Sequence, residues 1–181
     1  MGIDKALLRR DGESLLERTA RLASGQAERV WVIGRERPPD WPFAGVAFAP
    51  DDAPGAGPLA ALATVLRRTG GPALLLSCDL PQIERAGLDW LWARFDARAE
   101  PDGVVAVVDG KEQPLFAVYA PSCRPTLERL LAAGRRAMRD LLEAGSFDRA
   151  DAPPELARLL VNVNTPEEWS ALLRRESGEG R

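Results

Sequence analysis

The stretch Ala73-Leu-Leu-Leu-Ser-Cys-Asp-Leu-Pro-Gln82 is an apolar run that ends in a single carboxylate, Asp79. The segment Ala73–Ser77 is short, continuous and preceded by glycines, which predicts a buried strand. A carboxylate at the end of a strand can hold Mg²⁺, because this ion prefers oxygen ligands. Asp79 fits equally well a second role, that of capping the helix that follows.

Strand and helix patterns alternate on both sides of this segment. The alternation predicts an α/β fold of three layers, in which a mostly parallel sheet carries helices on both faces. Ligands bind at the carboxyl ends of the strands in such sheets. The predicted strands are Val30–Ile33, Val46–Phe48, Ala73–Ser77, Val104–Val108 and Leu115–Tyr119, and the predicted helices cover 14–25, 59–68, 83–97, 123–132, 136–143 and a last segment from Thr165.

Local signals set several of these boundaries. Ser14 and Glu17 form a capping box, with Ser at the N-cap and Glu at N3, which predicts a helix start. The pair Asp11-Gly12 predicts a turn, and Asp109-Gly110 predicts a hairpin-type turn into the next strand.

Composition excludes several classes of protein. The chain has 181 residues and a net charge of −3, whereas nucleic-acid binders usually carry a basic face. Its apolar runs are too short to cross a bilayer, and no signal peptide is visible. The two cysteines make no disulfide framework. We therefore expect a cytoplasmic protein without nucleic-acid or membrane partners.

The chain contains no histidine. This absence excludes Ser-His-Asp and Cys-His nucleophiles, His-ligated zinc and imidazole acid–base catalysis. Any catalysis must therefore rely on carboxylates, Lys, Arg and backbone amides. These groups suit phosphoryl and nucleotidyl transfer, in which positioning and charge neutralisation dominate.

Two further segments offer groups that bind phosphate. Residues 51–60 read Asp-Asp-Ala-Pro-Gly-Ala-Gly-Pro-Leu-Ala and lead into a helix, whose first amides attract anions. Lys5 follows Gly2 closely, and its ammonium is a compact charge for a triphosphate. Taken singly, each has an ordinary alternative: a Gly-rich connection, solvated loop carboxylates, or a solubilising lysine.

Four motifs occur in an order that resembles a known family. They are Met-Gly-x-Asp-Lys5, Gly57-Pro-Leu-Ala60, Cys78-Asp-x-Pro81 and Val161-Asn-Val-Asn-Thr-Pro-Glu-Glu168. Together they resemble the molybdenum cofactor guanylyltransferases over most of the chain, from Met1 to about Leu173. The last motif is the most particular to that family. The resemblance implies a Rossmann-like fold of the nucleotide-diphospho-sugar transferase type, as a single domain over 1–174 with a frayed tail over 175–181.

The resemblance also implies roles for single residues. Lys5 matches a lysine that contacts the GTP phosphates, and Asp79 matches the aspartate that binds Mg²⁺ and the triphosphate; these two are the implied catalytic residues. Asp51 matches an aspartate that contacts the nucleotide. If the alignment is shifted by one residue, Asp52 takes that position instead. The remaining implied positions are Gly57, Pro58 and Leu59 on the GTP side, and Asn162, Asn164 and either Arg135 or Arg136 on the molybdopterin side.

The implied reaction is attack of the molybdopterin phosphate on the α-phosphorus of GTP, with release of pyrophosphate. The implied cofactor is Mg²⁺, and a molybdoenzyme or its chaperone is a further partner class. Two alternatives stay open. One is a related transferase that uses CTP or that transfers a nucleotide to a sugar phosphate. The other is a degenerate binding or regulatory protein that has kept the fold but lost the phosphate-binding loop.

The chain departs from the family pattern at three places. Ala61 stands where relatives often have Gly, and Ile33 or Gly34 stands where some have Asn near the base. Family members also begin with a buried strand and a Gly-Gly-x-Ser-x-Arg loop ahead of Met-Gly. The resemblance therefore predicts a missing first strand, with Met1 being an internal methionine of the natural reading frame.

Overall fold

The computed structural model describes residues 4–50, 57–97, 100–163 and 165–176. Within them, short 3-10 turns cover Lys5–Leu7 and Pro121–Cys123. The strands are β1 (Arg9–Arg10), β2 (Glu13–Ser14), β3 (Val30–Ile33), β4 (Val46–Ala49), β5 (Ala73–Leu76), β6 (Gly103–Val108), β7 (Lys111–Tyr119) and β8 (Phe147–Asp151). The helices are α1 (Leu15–Ser24), α2 (Gly57–Thr69), α3 (Arg85–Ala97), α4 (Arg124–Ala132), α5 (Met138–Ala144), α6 (Pro154–Ala157) and α7 (Pro166–Glu176).

The largest sheet of the described residues has the strand order β5-β7-β6-β8. β7 is antiparallel to both β5 and β6, whereas β8 is parallel to β6, so β5, β6 and β8 share one direction. β3 and β4 form a parallel pair of their own. The α/β prediction is confirmed. The large sheet is nevertheless mixed rather than mostly parallel, because the Asp109-Gly110 turn, with φ of 49° and 73°, reverses β7.

Helices cover both faces of this sheet, as expected for three layers. Side chains alternate along each strand: Val105 packs into the cluster formed with α2, α4 and α5, while Val104 and Ala106 pack into the cluster formed with α3 and α6. In β7 the neighbouring residues Ala117 and Phe116 likewise pack on opposite faces of the sheet. The two helical layers therefore hold the sheet between them and fix the ends of its strands.

The amino-terminal part packs beside the sheet as a separate cluster. Ala6, Leu16 and Val32 are buried together there, with Cys78 packed against them. Ser14 caps α1 through the predicted capping box, with its hydroxyl accepting from the Glu17 amide at 3.2 Å. Local sequence therefore sets the start of α1.

The structure corrects some boundaries. β8 and α6 were not expected from the sequence, and α7 continues to Glu176. Residues 177–181 lie outside the described residues. Met1 lies outside them too, and the idea that it is an internal methionine stays a prediction.

Among the described residues, no helix combines the length and the apolar character needed to cross a membrane.

Candidate active site

Asp79 lies just beyond the carboxyl end of β5, where two other segments meet the chain. The Ser77 amide donates to the Leu115 carbonyl of β7 at 3.0 Å, and the Val163 amide donates to the Asp79 carbonyl at 2.9 Å. Within the described part of the chain, the Oδ1 atom of Asp79 is buried and has no hydrogen-bond partner. A buried carboxylate oxygen without a partner is costly, so Asp79 is suited to a cation.

Asp79 is a strand-end carboxylate whose buried oxygen suits a divalent metal. The described residues contain no group of three or more side chains of the kind that holds a metal ion on its own. Magnesium commonly binds through one or two carboxylates and takes its other ligands from substrate phosphates and water. The residues present therefore fit a metal that arrives with a phosphorylated substrate.

Arg35 and Asp4 form an ion pair whose charges act on the thiol of Cys78, the residue before Asp79. The Arg35 Nη1 atom lies 2.5 Å from Asp4 Oδ2, and Nη2 lies 2.6 Å from Asp4 Oδ1. These hydrogen bonds lower the pKa of Asp4 and raise the pKa of Arg35. Sequence reasoning missed both residues, and the one available signal was an arginine directly after the strand-end Gly34.

Cys78 links the ends of β3 and β5. Its side chain packs against the cluster around β3, and both Arg35 and Asp79 act electrostatically on its thiol. Since Arg35 follows β3 and Cys78 follows β5, the carboxyl ends of the two strands meet at one edge. Lys5 is the chain neighbour of Asp4, so the structure brings both predicted catalytic residues, Lys5 and Asp79, to this edge.

The thiols of this protein are expected to react slowly. Burial raises the pKa of Cys78, and it raises the pKa of Cys123 to about 12. Because the thiolate is the reactive form, a raised pKa leaves less of each thiol in that form at pH 8 than the ordinary value of 9.0 does. Iodoacetamide labelling, followed by mass spectrometry, should modify Cys78 more slowly than free cysteine and Cys123 more slowly still. Labelling of Cys78 as fast as free cysteine would contradict this environment.

The start of α2 supplies the predicted Gly-Pro-Leu segment. Gly57 has φ of +72°, a conformation that favours glycine, and both Gly57 and Pro58 are exposed. The side chain of Leu59 is fully buried in the core, so its predicted contact with the nucleotide would have to come from its backbone amide. Asp51 and Asp52 lie outside the described residues.

The loop after α4 borders the same helix start. A Cβ atom built on Gly57 would lie 3.8 Å from the Arg136 carbonyl oxygen. Arg135, in the same loop, is paired with Asp140 of α5. The structure therefore places the predicted arginine loop beside the predicted nucleotide loop, and it gives Arg135 a partner that the sequence did not reveal.

Asn162 approaches Asp79 from the carboxyl-terminal part of the chain. It is exposed, and the hydrogen bond from its neighbour Val163 to the Asp79 carbonyl fixes its segment at this edge. Asn164 lies outside the described residues. Of the residues predicted for the site, Lys5, Asp79 and Asn162 gather around the end of β5, while Gly57, Pro58 and Arg135 gather at the start of α2.

Comparisons with known proteins identify the family. A family model described as the MobA-like NTP transferase domain matches residues 1–151. A probable molybdenum cofactor guanylyltransferase from Synechococcus elongatus is 35% identical over 185 aligned residues, which cover 95% of this chain and 91% of the relative.

Solved structures share the fold at lower identity. Molybdopterin-guanine dinucleotide biosynthesis protein A from Archaeoglobus fulgidus superposes with a TM-score of 0.79 at 22% identity, covering 98% of this chain and 92% of that one. The 2-C-methyl-D-erythritol 4-phosphate cytidylyltransferase from Thermus thermophilus superposes with a TM-score of 0.67 at 20% identity, covering 94% of each chain. Because the family model covers most of the chain and the Synechococcus relative is 35% identical over nearly its whole length, the chain belongs to the MobA-like NTP transferase domain family.

Proposed function

We propose that this chain transfers GMP from GTP to molybdopterin and releases pyrophosphate. The observation that carries the proposal is the buried, unpartnered oxygen of Asp79 at a strand end. A carboxylate in that state suits a metal-bound triphosphate. The guanylyltransferase name of the Synechococcus relative, matched over nearly its whole length, supports the choice of substrates.

The chemistry requires little acid–base help from the protein. A phosphate oxygen of molybdopterin attacks the α-phosphorus of GTP, a new P–O bond forms, and the bond from the α-phosphorus to the bridging oxygen breaks as pyrophosphate leaves. The attacking phosphate is already anionic, so no side chain needs to accept its proton. A chain with no histidine can therefore carry out this reaction.

Positively charged, hydrogen-bond-donating and negatively charged groups at the strand edge and at the start of α2 have separate roles in binding the nucleotide. Lys5 contacts the triphosphate as a cation, and the backbone N–H groups of Gly57 and Leu59 donate to phosphate oxygens at the start of α2, where Pro58 has no N–H to offer. Asp79 would hold Mg²⁺, and the bound ion would supply charge neutralisation on the triphosphate. Asp51 remains a proposed contact to the nucleotide, outside the described residues.

The acceptor binds on the side of the carboxyl-terminal segment. Asn162 precedes Val163, whose amide donates a hydrogen bond to the Asp79 carbonyl. This position suits a contact with an acceptor that must reach the reacting phosphate. Arg135 supplies a cation for the acceptor phosphate. Asn164 remains a proposed contact, outside the described residues.

We propose a single domain over residues 1–174 that works in the cytoplasm. The packing of Trp169 from α7 against Leu15 from α1 supports one domain, because the last helix is buried against the first. Both cysteines are free thiols, which suits a reducing compartment. A molybdoenzyme or its chaperone is the class of partner that would receive the product.

Nucleotide choice tests this proposal. Purified protein with Mg²⁺ and molybdopterin should release pyrophosphate faster from GTP than from CTP. Faster release from CTP would contradict the guanylyl assignment. Release from neither nucleotide, by a folded protein, would favour a non-catalytic relative.

A further inference from the structure

Arg135 sits in a loop whose backbone is closely defined. The Gly134 amide donates to the Leu131 carbonyl and the Arg135 amide to the Leu130 carbonyl, both at 2.9 Å, and Gly134 has φ of +74°. This pattern is a Schellman motif, which ends α4 and sets the direction in which the chain leaves it. The backbone at Arg135 is thereby fixed beside the start of α2.

The side chain of Arg135 is fixed by a second group. Its Nε atom donates to Asp140 Oδ2 at 2.9 Å, and its Nη2 atom donates to Asp140 Oδ1. Asp140 is 7% exposed, whereas the Arg135 side chain is 57% exposed. The buried carboxylate therefore holds an exposed guanidinium in one orientation.

This pair differs from its neighbour on the same helix. In the pair between Arg139 and Glu143, both side chains are exposed, at 77% and 64%, so water competes for both partners. Asp140, in contrast, is screened from water, and Arg135 is the side chain that donates to its carboxylate, which also accepts a backbone hydrogen bond from Ala137. A guanidinium carries five N–H donors, and the two that Asp140 uses leave others for a ligand on the exposed side.

We propose that Asp140 is a positioning residue, which holds Arg135 ready to bind the phosphate group of the acceptor substrate. This inference rests on the proposed function, because that function supplies the acceptor. A guanidinium with fixed orientation binds a phosphate with less loss of side-chain freedom than one that must be ordered first. The two side chains then act as one unit.

The test measures binding of molybdopterin and of GTP separately, by fluorescence titration. Asp140→Asn removes the charge that fixes Arg135, and Arg135→Gln removes the phosphate contact. Each should weaken molybdopterin binding about tenfold, the low end of the cost of losing one hydrogen bond to a charged group. The double variant should lose little more, since both changes break one unit. GTP affinity should stay unchanged throughout.

The matched control is Glu143→Gln, which removes the exposed carboxylate one turn further along α5. It should bind both ligands as the unchanged protein does. If Asp140→Asn does not fold, Asp140→Glu replaces it; its carboxylate is displaced by one methylene and must cause the same selective loss.

The binding measurements test the positioning role of Asp140 independently of enzyme turnover. Unchanged molybdopterin affinity, an equal loss for both ligands, or full additivity in the double variant would overturn it. If the unchanged protein binds molybdopterin but forms no product, the proposed function fails, whereas the selective loss in Asp140→Asn still supports the positioning role.

Discussion

Replacing Asp79 by Asn is expected to lower pyrophosphate release from GTP by about 10²–10³-fold, the usual cost of losing one preorganised electrostatic contact. The amide has nearly the shape of the carboxylate but not its charge. Its buried oxygen no longer offers a negative ligand to a divalent ion. Steady-state turnover at saturating GTP and molybdopterin, over a range of Mg²⁺ concentrations, measures the effect.

The control for this change is Asp96→Asn, which alters an exposed carboxylate on α3 away from the strand edge. It should retain full turnover. Neither variant should melt below the unchanged protein, because Asp79 has no hydrogen-bond partner to lose at Oδ1 among the described residues. Full activity of Asp79→Asn would remove the central residue from the proposed mechanism.

Replacing Gly103 by Ala is expected to lower the free energy of unfolding by at least about 3 kcal/mol, the combined size of backbone strain and overpacking. Gly103 has φ of +137°, and an added Cβ would lie 2.1 Å from the Val118 carbonyl oxygen. That oxygen belongs to the backbone of β7, which pairs with β6 and is unable to move aside alone. Denaturant unfolding of the purified variant measures the loss.

Gly71→Ala is the matched control, because nothing lies within 4 Å of the added atom and φ is not positive there. Its unfolding free energy should change by less than about 1 kcal/mol. Equal stability of the Gly103 and Gly71 variants would show that the pairing of β6 with β7 differs from the one described.

Short-range signals predicted the elements that depend on neighbouring residues. The capping box of Ser14 and Glu17 starts α1 as expected, and Asp109-Gly110 forms the turn that joins β6 to β7. β8 was missed because its sequence, Phe-Asp-Arg-Ala-Asp, is too charged to read as a strand. Pairing with β6 and the contact between Arg149 and Glu112 at 2.6 Å stabilise it instead.

The candidate site was predictable where a residue type follows a strand or begins a helix. Asp79 and Gly57 could be found in this way. Arg35 was not selected, because its partner Asp4 lies 31 residues earlier in the chain. Asp140 was not selected either, since a carboxylate inside a helix gives no sign of burial. Such pairings depend on the tertiary fold, and local patterns in the sequence do not reveal them.

The most direct test of the proposed function is the identity of the product. Protein incubated with Mg²⁺, molybdopterin and GTP labelled at the α-phosphate should transfer the label to molybdopterin, with one pyrophosphate released for each guanine dinucleotide formed. Substituting Asp79→Asn should abolish most of this transfer. Label that stays in GTP, or that appears in free GMP without a dinucleotide, would contradict the account.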